Sequence, residues 1–211
     1  YADMTADIWS DPGSVTQATK LSATVDRLLA DTMRFVHLQL GADYVGLGAT
    51  LPHPTITDFG RKIRALPDMA NLVTTTGHGG TVHMIAQTVE HIISETVTEF
   101  DGTVGLLGAA GSIGWSSVLA LHGSLPSVQL HVFDTRAQRM RDLLDNAPEL
   151  DRVAVADSVR DVLLHNRLVV SAITEMIDLE SAALADIDLT GMVWIDDSQP
   201  GSVDRNQLER R

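Results

Sequence analysis

No cysteine occurs among the 211 residues, so within them there is no disulfide, no thiolate metal ligand and no cysteine nucleophile. Basic side chains are scarce: 15 Lys and Arg stand against 28 Asp and Glu, a formal charge of −13 that repels phosphate backbones and anionic lipid surfaces alike, so nucleic acid is not an expected partner. No apolar run approaches the roughly 20 residues that span a bilayer, and no basic segment with an apolar core opens the chain. No membrane span is therefore expected, and a cytoplasmic setting fits the missing thiols. What is present is a 44% hydrophobic content, enough to bury the core of one or two globular domains and to exclude collagen, coiled coil and wholesale disorder. The sequence opens on Tyr1 and stops at Arg210-Arg211 in a polar stretch, and reads as a piece of a longer chain.

The two halves differ in pattern, which predicts two domains, 1–100 and 101–211. In the first, Leu21, Val25, Leu28, Leu29, Met33, Val36 and Leu40 recur at steps of three and four, predicting a helix over 19–40 with one buried face. Residues 44–49 predict a short strand breaking into a glycine turn. The loop after it contains Leu51-Pro52-His53-Pro54, which cannot be regular helix. Thr57-Asp58 is placed to cap a short helix through residue 64, and residues 74–80, Thr-Thr-Thr-Gly-His-Gly-Gly, predict a flexible loop rich in hydroxyls. A second amphipathic helix is expected over 81–97.

The second half alternates short apolar runs with amphipathic stretches, the pattern of parallel strands joined by crossover helices. Strands are predicted over 103–107, 129–133, 153–155, 168–172 and 192–195, and helices over 113–122, 137–146, 159–165 and 179–185. The fold class is thus α/β: an N-terminal substrate domain followed by a doubly wound parallel sheet.

Directly after the first of those strands stands Gly108-Ala109-Ala110-Gly111-Ser112-Ile113-Gly114, with a helix following at once. Glycine at such a turn lets the backbone bend sharply, a small residue lets it approach a pyrophosphate, and the last glycine lets helix and strand pack closely. The pyrophosphate then lies on the amino end of the helix, where free N–H groups and the dipole attract negative charge. The spacing is Gly-x-x-Gly-x-x-Gly rather than Gly-x-Gly-x-x-Gly; the strand-turn-helix context makes it a dinucleotide site and the C-terminal half a Rossmann domain. Asp134 closes the next strand about 20 residues on, where a carboxylate can accept both ribose hydroxyls of NAD. Thr135 follows it, and Arg136 is placed to reach a 2′-phosphate, so NAD is favoured over NADP only slightly. Ala172, Ile173 and Thr174, ending the fourth strand, belong at the same carboxyl rim, as does the Asp196-Asp197-Ser198-Gln199-Pro200 run after the fifth.

Tyr1-Ala2-Asp3 with Trp9-Ser10, then Thr75-Thr76-Gly77 with Thr81, then the Gly-Ala-x-Gly-x-Ile-Gly turn, and finally Ile195-Asp196 with Pro200, occur in that order in one family. Over most of its length the chain resembles the cyanobacterial-type long-chain acyl-(acyl-carrier-protein) reductases, or a distant bacterial branch of them. The resemblance implies hydride transfer from a nicotinamide cofactor and reduction of an acyl thioester, on a carrier protein or CoA, to an aldehyde. It also implies that the first hundred residues form the substrate domain. Family members form an acyl-enzyme on a cysteine placed shortly after the fifth-strand region; this chain has none, so either that nucleophile lies beyond these residues or the chemistry differs. His78 stands where the family carries an amide, and His83 where it carries an aromatic.

Hydride transfer to a carbonyl needs a proton donor, and histidine is the side chain best poised near neutral pH. His78, His83 and His53 are the candidates, with the Thr76 hydroxyl as a substrate or cofactor ligand. His37, His91, His122, His131 and His165 have the look of packing or surface residues, and no His, Asp or Glu spacing suggests a metal site. Arg61, Lys62 and Arg64 form one dense basic patch, placed to meet a carrier protein or, as an ordinary helix face, solvent. A shikimate-type or methylene-tetrahydropterin-type dehydrogenase, a non-catalytic nucleotide-binding scaffold and a homo-oligomer all stay open at this stage.

Overall fold

The computed structural model describes residues 15–48, 51, 57, 58, 60–95, 100–198 and 201–210. The chain divides into two compact units, Tyr1–Gly77 and His78–Arg211.

The first unit opens with α1 (Val15–Arg34), which widens into one π-helical turn over Phe35–Gln39. The apolar spacing that predicts a single helix over 19–40 continues through this turn, so nothing in the pattern marks the change. The His37 Nδ1 lies 2.7 Å from the Ala42 carbonyl, just past Gly41 at φ +69°. Two short strands, β1 (Tyr44–Gly46) and β2 (Val73–Thr75), pair in parallel with Tyr44 opposite Val73. Thr74 and Thr75 therefore belong to a strand and not to the loop predicted over 74–80; the backbone pairing that makes them strand comes from Val45 and Gly46, far earlier in the chain. Between the strands lies α2 (Arg61–Arg64), shorter than expected. Thr57 holds the turn before it, its Oγ1 donating to the Leu51 carbonyl at 2.5 Å and accepting from the Gly60 amide at 3.2 Å. Met33, Leu47, Ile63, Met69 and Leu72 form the small core of this unit. The basic residues of α2 are exposed, Arg61 against Asp58 at 3.4 Å and Lys62 against Asp26 at 3.9 Å, geometry that contributes little in water.

The second unit begins with α3 (His78–Glu95), the helix expected over 81–97 as a bridge into the second domain, and it packs with the second half of the chain. Its Ile85, Ala86 and Val89 join a core built from β3 (Thr103–Leu107), α4 (Ser112–Ser124), β4 (Gln129–Phe133) and α5 (Ala137–Asp145). Then follow β5 (Val153–Val155), α6 (Val159–His165), β6 (Leu168–Ser171), β7 (Val193–Asp196) and α7 (Arg205–Glu209). All five strands of the second unit are parallel, in the order β5-β4-β3-β6-β7. Both faces of the sheet are covered: Val104, Leu106 and Val170 turn to one core, Leu107 and Val169 to the other, with Val162, Leu163 and Leu179. That two-sided burial is why the strands are almost continuously apolar in sequence.

The predicted strands and helices of this half recur within a residue or two, with two exceptions. Residues 179–185 form successive turns rather than a helix, closed by the Leu184 and Ala185 amides on the Ser181 carbonyl. The five-residue α7 was not predicted; Asp204 caps it by accepting from the Asn206 amide at 2.8 Å. No helix among the described residues is long and apolar enough to cross a membrane.

Candidate cofactor-binding site

The strand order reverses between β3 and β6, the point where ligands of open parallel sheets lie across the carboxyl ends. Three glycines build the floor of that crevice, each for a different steric reason. Gly108 has φ +82°, and a Cβ on it would stand 2.4 Å from the Ala172 carbonyl oxygen, so it is the residue that lets β3 turn tightly against the end of β6. A Cβ on Gly114 would stand 2.1 Å from the Gly108 carbonyl oxygen, so here glycine brings α4 hard against the turn. At Gly111 a Cβ would stand 3.0 Å from the Gly108 carbonyl oxygen, a tight contact that this backbone oxygen could relieve only by giving a few tenths of an ångström, and 3.6 Å from Arg136 Nη2.

The turn is fixed by the Gly108 and Ala109 amides, both on the Phe133 carbonyl, and by the Gly111 amide on the Gly108 carbonyl at 2.9 Å. Ala109 and Ala110 are fully buried. Gly111 is the N-cap of α4 and brings no side chain to the helix end, so the first helical amides, those of Ser112, Ile113 and Gly114, have no carbonyl one turn back to bond. Ser112 is exposed beside them. A diphosphate fits this cradle: unbonded donors, the positive helix end and no side chain in the way.

Asp134 is where the sequence puts it, at the end of β4, but its carboxylate is already engaged. Oδ2 accepts from the Ala110 amide at 2.9 Å and from Arg136 Nη2 at 3.0 Å; Oδ1 accepts from the Arg136 amide at 2.8 Å and its Nε at 2.9 Å. The Asp134 side chain is 3% exposed and that of Arg136 51%. Burial works to raise the carboxyl pKa; the Arg136 and Ala110 hydrogen bonds outweigh it and hold the group below the ordinary aspartate range, while the same pairing raises Arg136. The ground for favouring NAD, an Asp134 carboxylate open to ribose hydroxyls, is thus weakened, because four donors of the chain already fill its acceptor sites. Thr135 is exposed at the same rim.

Across the switch point, the Ala172 amide bonds the Leu107 carbonyl at 3.0 Å, and the Ile173 amide donates to Ser198 Oγ at 3.2 Å; Thr174 is exposed. After β7, Asp196 accepts from the Ser198 amide at 3.0 Å and the Ser202 amide at 2.7 Å, folding the loop back on itself.

Of the histidines, His78 is the first residue of α3 rather than part of a loop, half-buried, with Nδ1 shut away from solvent. Burial and then the charge of Asp196 raise the carboxyl of Asp197, the residue after β7, above the ordinary aspartate range, and the charge of His78 opposes them. His83 is exposed, five residues further along the same helix and so about 140° around its axis; the two do not converge. Thr76 follows β2 in the first unit. His53, Pro200 and the Tyr1-Ala2-Asp3 and Trp9-Ser10 segments lie outside the described residues. Sequence reasoning placed Asp196 and Asp197 together at this rim; only the structure separates them, with Asp196 bracing the loop through the Ser198 and Ser202 amides.

The fold and this edge define an α/β unit with the strand order and glycine turn of the Rossmann class. No protein-family model matches the chain, and no curated protein sequence matches it. Among solved structures it is similar to CmnK, at 20% identity and TM-score 0.40 over 53% of this chain and 35% of that one. It is also similar to an archaeal alanine dehydrogenase dimer with bound NAD, at 12% identity and TM-score 0.33 over 52% of this chain and 33% of that one. The chain matches about a third of the length of each.

Proposed function

We propose that the second unit binds a nicotinamide dinucleotide on its glycine turn and that the protein is an NAD(P)H-dependent oxidoreductase, reducing an acyl thioester on CoA or a carrier protein to an aldehyde. The observation that carries the cofactor half of this reading is the trio Gly108, Gly111 and Gly114. Two are required by the chain's own packing. The third, Gly111, is the least crowded by the chain, its one tight neighbour being the Gly108 carbonyl oxygen at 3.0 Å, and it stands at the open amino end of α4, where a ligand's diphosphate needs room. The acyl thioester half rests on the Thr75-Thr76-Gly77, glycine-turn and Ile195-Asp196 series shared with the acyl reductases.

In this reading the amides of Ser112, Ile113 and Gly114 bind the diphosphate. The Asp134–Arg136 pair stands by the adenosine ribose, its guanidinium half-exposed and its carboxylate already bonded, which favours a 2′-phosphate and hence NADP. The nicotinamide supplies the hydride when bound. The proton side of the reduction we assign to His78, half-buried at the start of α3, rather than to the exposed His83.

Fluorescence titration with NADPH and NADH tests the reading. The unaltered protein should bind NADPH, and Gly111→Asp, which puts a carboxylate against the diphosphate at the cost of one tight backbone contact, should weaken binding of both nucleotides more than about tenfold. Arg136→Gln should weaken NADPH about tenfold and leave NADH nearly unchanged, the loss of one charge-assisted hydrogen bond. Absence of binding of either nucleotide sinks the cofactor assignment. Failure to release aldehyde from any acyl-CoA under NADPH sinks the substrate assignment alone.

A further inference from the structure

We propose that the seat of α6 on the sheet is a proton-operated switch: a proton taken up by His131 turns the Asn166 amide and strips the Val162 carbonyl of its donor. The switch lies within the second unit and is independent of the dinucleotide reading above.

The seat is tight. A Cβ on Gly105, in the middle of β3, would stand 2.6 Å from Val162 Cγ1 and 3.2 Å from Asn166 Cβ, so glycine is what lets α6 lie so close. His131 is the partner of Gly105 on β4 and is turned to the same helix, its side chain 19% exposed. Asn166, 2% exposed, ends α6, and its Nδ2 donates both to the Val162 carbonyl at 2.7 Å and to His131 Nδ1 at 3.2 Å. These contacts fix the protons of the ring. A carbonyl only accepts, so the Asn166 NH₂ must face Val162; the Nδ1 of His131 meets that same NH₂ and must accept from it. The neutral ring therefore carries its proton on Nε2, which faces Asp161 Oδ2 at 3.5 Å.

Asp161 collects the other groups at this seat. Its Oδ2 accepts from the Asp157 amide at 3.1 Å, and its Oδ1 lies 2.9 Å from His165 Nδ1. That amide, with the charges of the two histidines, outweighs burial and keeps the Asp161 carboxyl below the ordinary aspartate range, so the anion is present at neutral pH. His165 meets the His131 ring edge-on, 5.9 Å between centroids. The strand neighbours of His131, Gly105 and Ala154, bring no charge. A proton on His131 is thus answered on one side only. Asp161 gains a full ion pair through Nε2, but Nδ1–H now points at the NH₂ of Asn166, donor against donor. The amide must turn over, so that its Oδ1, buried and without a partner among the described residues, accepts from the ring. The Val162 carbonyl, one of the last four of α6 that the helix itself leaves unbonded, then faces an oxygen. Pressed on Gly105, α6 has no room to shift toward the sheet, and its end loosens instead.

A pH series of ¹⁵N spectra on the whole chain tests the switch. At neutral pH His131 should show an unprotonated Nδ1 and a protonated Nε2. As pH falls, the Asn166 side-chain amide should move with the His131 ring at one shared midpoint. Hydrogen-exchange protection of the Leu163, Leu164 and His165 amides should drop roughly fivefold over the same interval, the loss of one buried hydrogen bond. His131→Phe should hold that protection constant with pH, whereas His165→Gln, a change at an exposed ring, should keep the drop. A proton on Nδ1 at neutral pH overturns the proposal, as does a His131 that never titrates before the protein unfolds. An Asn166 amide that stays still while the ring titrates overturns it too, and so does a drop that survives His131→Phe or vanishes in His165→Gln. The first three readings need only the unaltered protein, so they decide the matter where a variant fails to fold.

Discussion

Gly108→Ala should lose about 3 kcal/mol of stability in chemical denaturation, enough to leave much of the protein unfolded at modest urea concentrations. Two costs add. At φ +82° an alanine is strained by about 1 to 2 kcal/mol, and its Cβ would stand 2.4 Å from the Ala172 carbonyl oxygen and 2.9 Å from its carbon, backbone atoms that cannot swing aside. Overpacking of that kind costs about 1 to 3 kcal/mol. Gly191→Ala separates the two contributions: φ is +74° there, but nothing lies within 4 Å of the added methyl, so only the strain should register. If the two variants melt alike, the close packing of β3, its turn and the end of β6 is wrong.

Asp134→Asn should be nearly as damaging, about 2 to 4 kcal/mol, because an amide has one acceptor where the carboxylate meets four donors. Whichever way it turns, an NH₂ faces either the Ala110 amide or the Arg136 guanidinium. The pH dependence follows with a definite sign. Asp134 has a folded-state pKa below its unfolded value; its contribution is therefore complete above the unfolded value of about 3.9 and is lost as pH falls through the lower folded one. Urea midpoints measured from neutral pH down into the acid range should fall more steeply for the parent than for Asp134→Asn. Parallel curves would mean that the carboxylate is solvated and the clasp around it absent.

These two residues also show how far the sequence could be read. The strand-turn-helix around Gly108 was legible because its requirements are local: an apolar strand, glycines three apart and a helix start leave few alternatives. The same holds for α6, where Ser158 accepts from the Asp161 amide at 3.1 Å and caps the helix directly before its first residue. Of the β1–β2 pair, β1 was legible as the short strand before a glycine turn, whereas β2 was hidden because it is three residues long and owes its existence to a partner far away in the chain, while three threonines and a glycine locally resemble a loop. Asp134 was placed correctly at the end of β4, but its hydrogen-bond partners were not legible, since they depend on which way Arg136 turns, two residues on. The capping signal of α7, an aspartate before a polar stretch, was present; with no apolar periodicity behind it, it went unnoticed. His78 and His83 are close in sequence, and only the helix register sets them on different sides.

The crowding of Gly108, Gly114 and Ala172 has a consequence for how the crevice can work. A floor in which carbonyls lie where methyl groups would collide has no slack to take up: it cannot hinge open or tighten around a guest. Ligand capture there is a matter of docking onto a surface that is already set, with no ordering of backbone to subtract from affinity. Whatever adapts to an incoming molecule must be exposed side chains at the rim, such as those of Ser112, Thr135 and Thr174, set on a rigid anvil.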